Sequence, residues 1–482
     1  MSVLRPYQTK AVNALRTGIQ NGYNRQILCA PTGSGKTKVF THIAERHIQK
    51  GGNVAIFTHR RELLKQAQRD FSTAPELIEA KTKVINSAHP LHICMTETVH
   101  RRMGRPEFVD WLSGRTLVII DEAHLSIFDK LFQWIPAECL VIGATATPYR
   151  KGKSVAGLNT FYSNLIQTID TPELIKDGYL CDAVTYATPI DLKGAKLTGG
   201  FYDTKAIFET NRTFESVVQN YCRLTPNKKA LLFASNVESS KRVCSELIQQ
   251  GYTAKHIDGK TPKKEREAVL QWFSDTPNAI LCNCGVLRAG YDQPDIEVVI
   301  LYLATTSIPS YLQMCGRGSR PAPNKPDFKI LDFGNNAVRL NLWQSPREWS
   351  LEKVTGKSKA IQAAPVKDCK KCGAVNYSTV TICVACGQPF PKPKREDLPI
   401  IELERLVRSE VAGKRVAELT LFELIQLQRC KAFKAPFIWR VVRSKGMDEL
   451  KRYAQMMGYN RGWLIGQKQL MGDTKFTNFI VK

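Results

Sequence analysis

The sequence predicts an α/β chain: two tandem parallel-sheet lobes, then a small four-cysteine ribbon and a helical, basic C-terminal region. Three observations carry this. Short apolar runs recur through the first 345 positions, each ending in small polar residues and followed by an amphipathic stretch, the rhythm of repeated βα units. Two Cys-x-x-C pairs, Cys369/Cys372 and Cys383/Cys386, follow, each with a glycine behind it. From Lys392 onward the chain carries 19 Lys+Arg against 10 Asp+Glu and reads as helices over Leu403–Val411, Leu421–Lys431 and Met447–Met457. The expected boundaries are 1–185 and 186–345 for the lobes, 346–367 for a polar aperiodic linker, 368–390 for the ribbon and 391–482 for the basic helical region. A chain of 482 residues is too long for one core.

Lys+Arg of 69 against Asp+Glu of 44 leaves a net charge of +25. Such an excess favours a polyanionic partner, because phosphate backbones attract it whatever their sequence; a charge kept for solubility is the plainer alternative. The opening Met1-Ser2-Val3-Leu4-Arg5 has no apolar signal core, and no 18-residue uncharged run occurs. A soluble, cytoplasmic protein with no membrane segment is therefore expected. Ten of the fourteen cysteines are scattered, some within apolar runs such as Leu281-Cys282-Asn283-Cys284. Reduced thiols fit this better than a disulfide framework.

In the first lobe, Ile27-Leu28-Cys29 runs into Ala30-Pro31-Thr32-Gly33-Ser34-Gly35-Lys36-Thr37, and an amphipathic segment from Val39 to Ile48 follows. Strand, glycine-rich loop and helix in that order make a concave site for phosphate. Thr32, Gly33, Ser34 and Gly35 would line it, Lys36 would reach the β/γ-phosphates of ATP, and the Thr37 hydroxyl would hold Mg²⁺. Ala30 stands where the strict pattern has glycine. Upstream, Gln8 is the candidate reader of an adenine edge, through one donor and one acceptor. Leu117-Val118-Ile119-Ile120 reads as a buried parallel strand ending in Asp121-Glu122-Ala123-His124. Two acids there need a cation nearby. Asp121 is the metal-side carboxylate, and Glu122 the group that orients and deprotonates the attacking water. Leu140 to Gly143 ends similarly in Thr145-Ala146-Thr147. Thr58 and Arg60, after Val54–Phe57, and Thr98, after His92–Met95, are candidate nucleic-acid contacts. Helix caps and solvated charge explain each of these equally well.

The ordered set Ala-Pro-Thr-Gly-Ser-Gly-Lys-Thr, Asp-Glu-Ala-His and Thr-Ala-Thr resembles motifs I, II and III of superfamily 2 helicases and translocases. Residues 187 to 227 are less regular. The α/β rhythm then returns at Ala230–Ala234, which leads to Ser235 and Asn236, further nucleic-acid candidates. Gly285-Val286-Leu287-Arg288-Ala289-Gly290-Tyr291-Asp292 resembles motif V, and Gly290 and Asp292 are placed by that likeness at the nucleotide. Tyr311 to Arg320, expected on a helix, resembles motif VI. The resemblance implies two RecA-like lobes, with Arg317 and Arg320 reaching across the cleft toward the γ-phosphate, Arg320 the best finger candidate and Gln313 a further catalytic candidate of the same motif. A surface basic helix is the plainer reading.

The cysteine pairs suit tetrahedral zinc, which would supply folding energy that some twenty residues cannot draw from a core. A redox dithiol and an iron site compete with it. Lys370 and Lys371 lie where they would touch DNA. Trp439, Tyr453, Tyr459 and Trp463 interleave with basic residues, which suits stacking on nucleic acid and a small helical core equally. With Gly178-Tyr179-Leu180, Ile330 to Asn335 and the cysteine pairs added, residues 1 to about 390 resemble RadD-type and phage branch-migration helicases. That likeness implies a repair or recombination ATPase acting on forked or branched DNA. It implies ATP, Mg²⁺ and Zn²⁺ as cofactors, recombination or single-strand-binding proteins as partners, and a bacterial or phage-infected cytoplasm. Duplex translocation without strand separation, an RNA substrate and a non-catalytic scaffold remain open.

Overall fold

The computed structural model describes residues 3–58, 71–150, 155–188, 190–204, 207–208, 213–288, 291–353, 366–390, 411–429 and 433–471. Contacts divide the chain into two units, Met1–Phe390 and Pro391–Lys482.

The first lobe runs α1 (Pro6–Gln20), β1 (Arg25–Cys29), α2 (Lys36–Gln49), β2 (Val54–Thr58), β3 (Glu76–Ile78), β4 (Leu91–Met95), α3 (Thr96–Arg102), α4 (Pro106–Ser113), β5 (Leu117–Asp121), β6 (Leu140–Thr145), β7 (Asn164–Gln167) and α5 (Thr171–Lys176). Its seven strands are all parallel, in the order β3-β4-β2-β5-β6-β1-β7. Every residue of β2, β4 and β5 is buried, which is why those strands read as unbroken apolar runs: side chains on both faces meet other elements. The carboxyl ends of all seven strands share one edge, so the P-loop after β1 and the acids closing β5 are brought together.

The second lobe carries β8 (Asp182–Ala187), a hairpin of β9 (Leu197–Thr198) and β10 (Phe201–Tyr202), α6 (Thr213–Leu224), β11 (Ala230–Ala234), α7 (Val237–Gln249), β12 (Ala254–Asp258), α8 (Lys263–Asp275), β13 (Ile280–Cys284), β14 (Val298–Tyr302), α9 (Ile308–Cys315), β15 (Asp327–Asp332) and α10 (Asn336–Leu340). Its sheet, β12-β13-β11-β14-β15-β8, is also parallel throughout. The expected lobe boundary at 185/186 cuts through β8, which pairs with β15 from Asp182 to Ala187, so the second lobe begins earlier.

Two further departures concern the connections. Residues 346–353, expected to be linker, return to the first lobe. Leu351 packs against that lobe's core, its carbonyl accepts from Asn159 N–H at 3.0 Å, and Gln167 Nε2 donates to Arg347 O at 3.3 Å. Further on, β16 (Val366–Asp368) and β17 (Val375–Tyr377) form the ribbon's antiparallel hairpin. The ribbon lies against β8, the edge of the second sheet, through a bridge between Tyr186 and Ala374. Covering that edge removes a row of open pairing groups.

The C-terminal unit contains α11 (Leu421–Arg429), α12 (Ala435–Ser444), α13 (Met447–Met457) and α14 (Arg461–Gln469). The helix expected over Leu403–Val411 lies, except for Val411, outside the described residues. The helices α12 and α14 escaped the sequence reading. Tyr453 is fully buried, and Trp439, Tyr459 and Trp463 pack around it with ring centroids 4.3–6.1 Å apart. These aromatics build a helical core. Among the described residues, no helix is long and apolar enough to cross a membrane.

Candidate nucleotide site and cysteine cluster

The phosphate loop is shaped by two glycines. Gly33 and Gly35 have φ of +87° and +77°, a region that side chains rarely enter, and a Cβ on Gly33 would lie 2.9 Å from Leu180 Cδ2. The α2 helix begins at Lys36 itself, three residues before the apolar periodicity that signals it, because Gly35 serves as its N-cap. Lys36 Nζ donates to the carbonyls of Ala30 (2.9 Å) and Pro31 (3.1 Å), so the lysine is drawn across the mouth of the loop. Ser34 is 2% exposed and its hydroxyl has no hydrogen-bond partner among the described residues. A buried hydroxyl without a partner, inside a ring of backbone N–H groups, fits a phosphate oxygen. Thr37 opens α2 beside it, and Thr32 lies at the lobe interface.

Gln8 clamps this loop from α1. Its Nε2 donates to Ser34 O (3.1 Å) and Gly35 O (3.3 Å), while its Oε1 accepts from Arg5 N–H (2.9 Å). Tyr7 adds its hydroxyl to Ser34 O at 2.7 Å. Arg5 sits 4.3 Å above the Tyr179 ring, and Tyr179 meets Tyr7 edge-on at 5.3 Å. Gln8 therefore braces the loop with the same amide that was expected to face adenine.

The two acids are buried, Asp121 at 3% and Glu122 at 2% exposure. Thr58 Oγ1 donates to Asp121 Oδ2 at 3.4 Å. Thr58 was expected on a nucleic-acid backbone, but it is fully buried and turned to the acid. Glu122 holds a left-handed φ of +53°, costly for a residue with a Cβ. Glu122 Oε2 lies 3.5 Å from His124 Nδ1, which bonds Thr145 Oγ1 at 2.8 Å; Thr145 Oγ1 in turn accepts from Thr147 N–H at 2.9 Å. The Asp-Glu-Ala-His and Thr-Ala-Thr segments are thus one hydrogen-bonded unit.

What fixes that unit is Arg150, which the sequence reading passed over. It is 5% exposed. Its Nε donates to His124 O (2.9 Å), and its Nη groups reach Ala123 O (3.4 Å), Leu125 O (3.2 Å) and Ala156 O (3.2 Å) while forming a two-pronged pair with Asp129 (2.8 and 3.1 Å). An arginine three residues after Thr147 was the available signal.

The second lobe supplies the opposite wall. Gln313 Nε2, on α9, lies 3.5 Å from Glu122 Oε1. A Cβ on Gly316 would stand 3.2 Å from Thr32, so glycine lets this turn approach the phosphate loop closely without displacing that side chain. The glycine–arginine segment lies just past the end of α9 at Cys315, where the sequence reading placed it on a helix. Gly318 breaks away because a Cβ there would fall 2.4 Å from the Phe328 ring. Arg317 is 6% exposed and donates to the carbonyls of Tyr291 and Arg288, the latter at 2.7 Å. Arg320 pairs with Asp292, which places that acid with an arginine. Buried Lys325, its amine pushed down to about 8 by burial, donates to Arg320 O and Pro294 O, each at 2.8 Å, and so ties down the end of the segment.

Of the remaining candidates, Arg60 and Gly290 lie outside the described residues. Thr98 is buried on α3, and Asn236 caps α7 with its Oδ1 accepting from Ser239 N–H at 2.8 Å. Ser235 precedes that cap and its hydroxyl accepts from Asn236 Nδ2 at 3.3 Å.

The four thiols of Cys369, Cys372, Cys383 and Cys386 lie within 4.8 Å of one another. Each pair is a knuckle: Gly373 N–H donates to Cys369 O (2.7 Å) and Gly387 N–H to Cys383 O (2.9 Å), with φ of +79° and +69° at the glycines. Burial works against the Cys383 thiolate. The N–H groups of Ala385 and Cys386 and the Asn376 amide outweigh it and bring the thiol down to about 6. Four convergent sulfurs fit a tetrahedral metal.

The comparisons with known proteins agree with this architecture. A family described as the res subunit of type III restriction enzymes matches residues 1–150, and the helicase conserved C-terminal domain matches residues 213–322. A 51.5 kDa protein of a Lactococcus phage (isolate 7-9) is 30% identical over 402 residues, covering 81% of this chain and 84% of that one. A Saccharomyces cerevisiae protein named as an ATP-dependent helicase, IRC3, is 27% identical over 361 residues, 69% of this chain and 51% of its own length, so the chain spans about half of that relative. An HsdR-subunit fragment of a type I restriction enzyme from Vibrio vulnificus shares the fold, with a TM-score of 0.54 at 20% identity over 71% of this chain and 66% of that one. With both motif-bearing lobes matched and their walls meeting at one cleft, the chain belongs to the superfamily 2 helicases, enzymes whose ATP turnover depends on nucleic acid.

Proposed function

We propose that the chain is a DNA-directed motor that couples ATP hydrolysis to unwinding or remodelling of forked or branched duplexes. The observation that carries this reading is the contact across the cleft, Gln313 against Glu122 and Gly316 against Thr32. Closure of the lobes can then report on the nucleotide between them, to the extent that the nucleotide prefers the closed state. The backbone N–H groups of 33–37, Ser34 and Lys36 hold the phosphates, and Gln8 keeps the loop in shape. Thr37 and Asp121 would hold Mg²⁺, which when bound neutralises phosphate charge. Glu122 takes the proton of the attacking water, with Gln313 and His124 fixing its carboxylate. Arg317 and Arg320 are the cationic groups on the far wall, and for Arg320 to reach a γ-phosphate it exchanges Asp292 for it. Zinc held by the four cysteines would serve as the ribbon's structural centre.

DNA is favoured over RNA by the restriction-enzyme family match and by a structural neighbour, the type ISP enzyme LlaBIII, solved bound to DNA. The likeness to RadD-type helicases points further, to branched substrates. ATP turnover measured with single strands, duplex, forks and RNA tests the reading. Forked DNA should stimulate most, and Lys36→Ala or Glu122→Gln should lower kcat by about 100-fold or more while DNA binding survives. Normal turnover by either variant would refute the site assignment; stimulation by RNA alone would refute the substrate.

A further inference from the structure

A second cationic surface lies away from the cleft, at the outer margin of the first lobe. The order of the sheet places β3 at its far edge, five strand spacings from β1, about 24 Å at roughly 4.8 Å per strand. Because β3 runs parallel to β4, the turn that follows it emerges on the same edge as Thr58 and α3. That turn and the end of α3 enclose a groove of about 1100 Å³ whose lining includes Lys81, Lys83, Arg102 and Arg105.

The groove is built, not improvised. Thr82 pins the turn by donating its hydroxyl to Leu77 O (3.1 Å) and accepting from Glu79 N–H (3.0 Å), and Arg102 donates to the carbonyls of Thr82 and Glu79. From beneath, Arg115, 3% exposed, holds the same loop through Ser87 O (2.6 Å) and His89 O (3.0 Å). Lys81 and Lys83, either side of Thr82, are exposed on this fixed turn, and Arg105 faces them. Glu107 and Asp110 close the far lip and would limit where an anion sits.

Resting on the motor reading above, we infer that this groove holds the phosphate backbone of a duplex arm of the substrate. The groove offers cations but no stacking platform: its one aromatic, Phe108, is fully buried. Single strands held without sequence preference are gripped through stacked bases as well as charge, whereas a duplex, its bases already paired, is held by phosphate contacts. The position is consistent, since the groove opens on the carboxyl-end edge of the sheet, the edge that also carries the phosphate loop, at its far margin from the ATP cleft.

The test uses the full chain and end-labelled single strand, blunt duplex and fork of one sequence, followed by fluorescence anisotropy between about 50 and about 200 mM salt. The double variant Lys81→Ala/Lys83→Ala should bind duplex and fork roughly tenfold more weakly at low salt, with the log–log salt slope reduced by about 2. Single-strand affinity and kcat at saturating fork should not change, while the KM for fork rises. Removing Lys263 and Lys264, exposed on the second lobe, is the charge control and should leave duplex affinity intact. Unchanged duplex affinity in the double variant, an equal loss on single strands or an equal loss in the control would each overturn the inference. Duplex binding through these lysines without stimulated ATP turnover would instead defeat the motor reading and leave the groove standing.

Discussion

Arg150→Ala is the most informative single change, because one side chain holds the loop that carries Glu122. The guanidinium serves four carbonyls and one carboxylate from a position that is 5% exposed. A buried acceptor deprived of its charged donor costs about 1–3 kcal/mol. The Asp129 end, 22% exposed, regains water and is discounted accordingly. Counting only His124 O and one further carbonyl, the first lobe loses about 2–6 kcal/mol, against a total of about 5–15 kcal/mol for a domain. At about 2–4 °C per kcal/mol the first thermal transition should fall by roughly 4–24 °C. The kinetic effect should be specific as well. Glu122 at φ +53° stays strained only while its surroundings insist on it, so kcat should drop about 10- to 100-fold while the KM for ATP moves less than about threefold. Arg150→Lys keeps a point charge but not the planar fork, and should fall between the two. Calorimetry with steady-state ATPase assays decides the matter: kcat within about twofold of wild type and an unmoved transition in Arg150→Ala would refute the reasoning.

Gln8→Ala removes two hydrogen bonds to the phosphate loop and the one that anchors Gln8 to Arg5, and should raise the KM for ATP about tenfold, measured by turnover at varied ATP, with little change in folding. Burial pushes the fully buried Asp332 carboxyl up to about 6 from 3.8, although Ala337 N–H, Asn336 Nδ2 and Gly334 N–H bond it. Its stabilising contribution is therefore complete below about pH 4 and is lost as pH rises through about 6. Urea titrations across that window should show a falling component that Asp332→Asn abolishes. The isolated chain should carry one zinc, released by a thiol reagent, and Cys383→Ser should lose the metal and expose residues 366–390 to protease.

The strands were legible because both their faces are covered: Val54–Phe57 and Leu117–Ile120 leave no position for a polar residue, so their character survives in one dimension. Helix ends were less so. The α2 helix starts at Lys36 on the strength of a left-handed glycine, and α9 stops at Cys315 because glycines must slip past Thr32 and Phe328. Neither reason is local. The β9–β10 hairpin was missed although Gly199–Gly200, with φ of +57° and +83°, is the doublet a tight two-residue turn demands. The nucleotide residues were readable from their spacing, but Arg150, Tyr179 and Lys325 act through partners distant in sequence. The aromatics of the C-terminal unit illustrate the opposite difficulty, since rings that stack on one another and rings that stack on bases leave the same trace in a sequence.

The polypeptide crosses between the lobes on its way to β8, returns where Leu351 settles on the first lobe, and passes back to set the ribbon against β8. A door hung from several pins swings about a single axis more readily than it twists. Relative movement of the two lobes should accordingly be confined largely to opening and closing of the cleft between them.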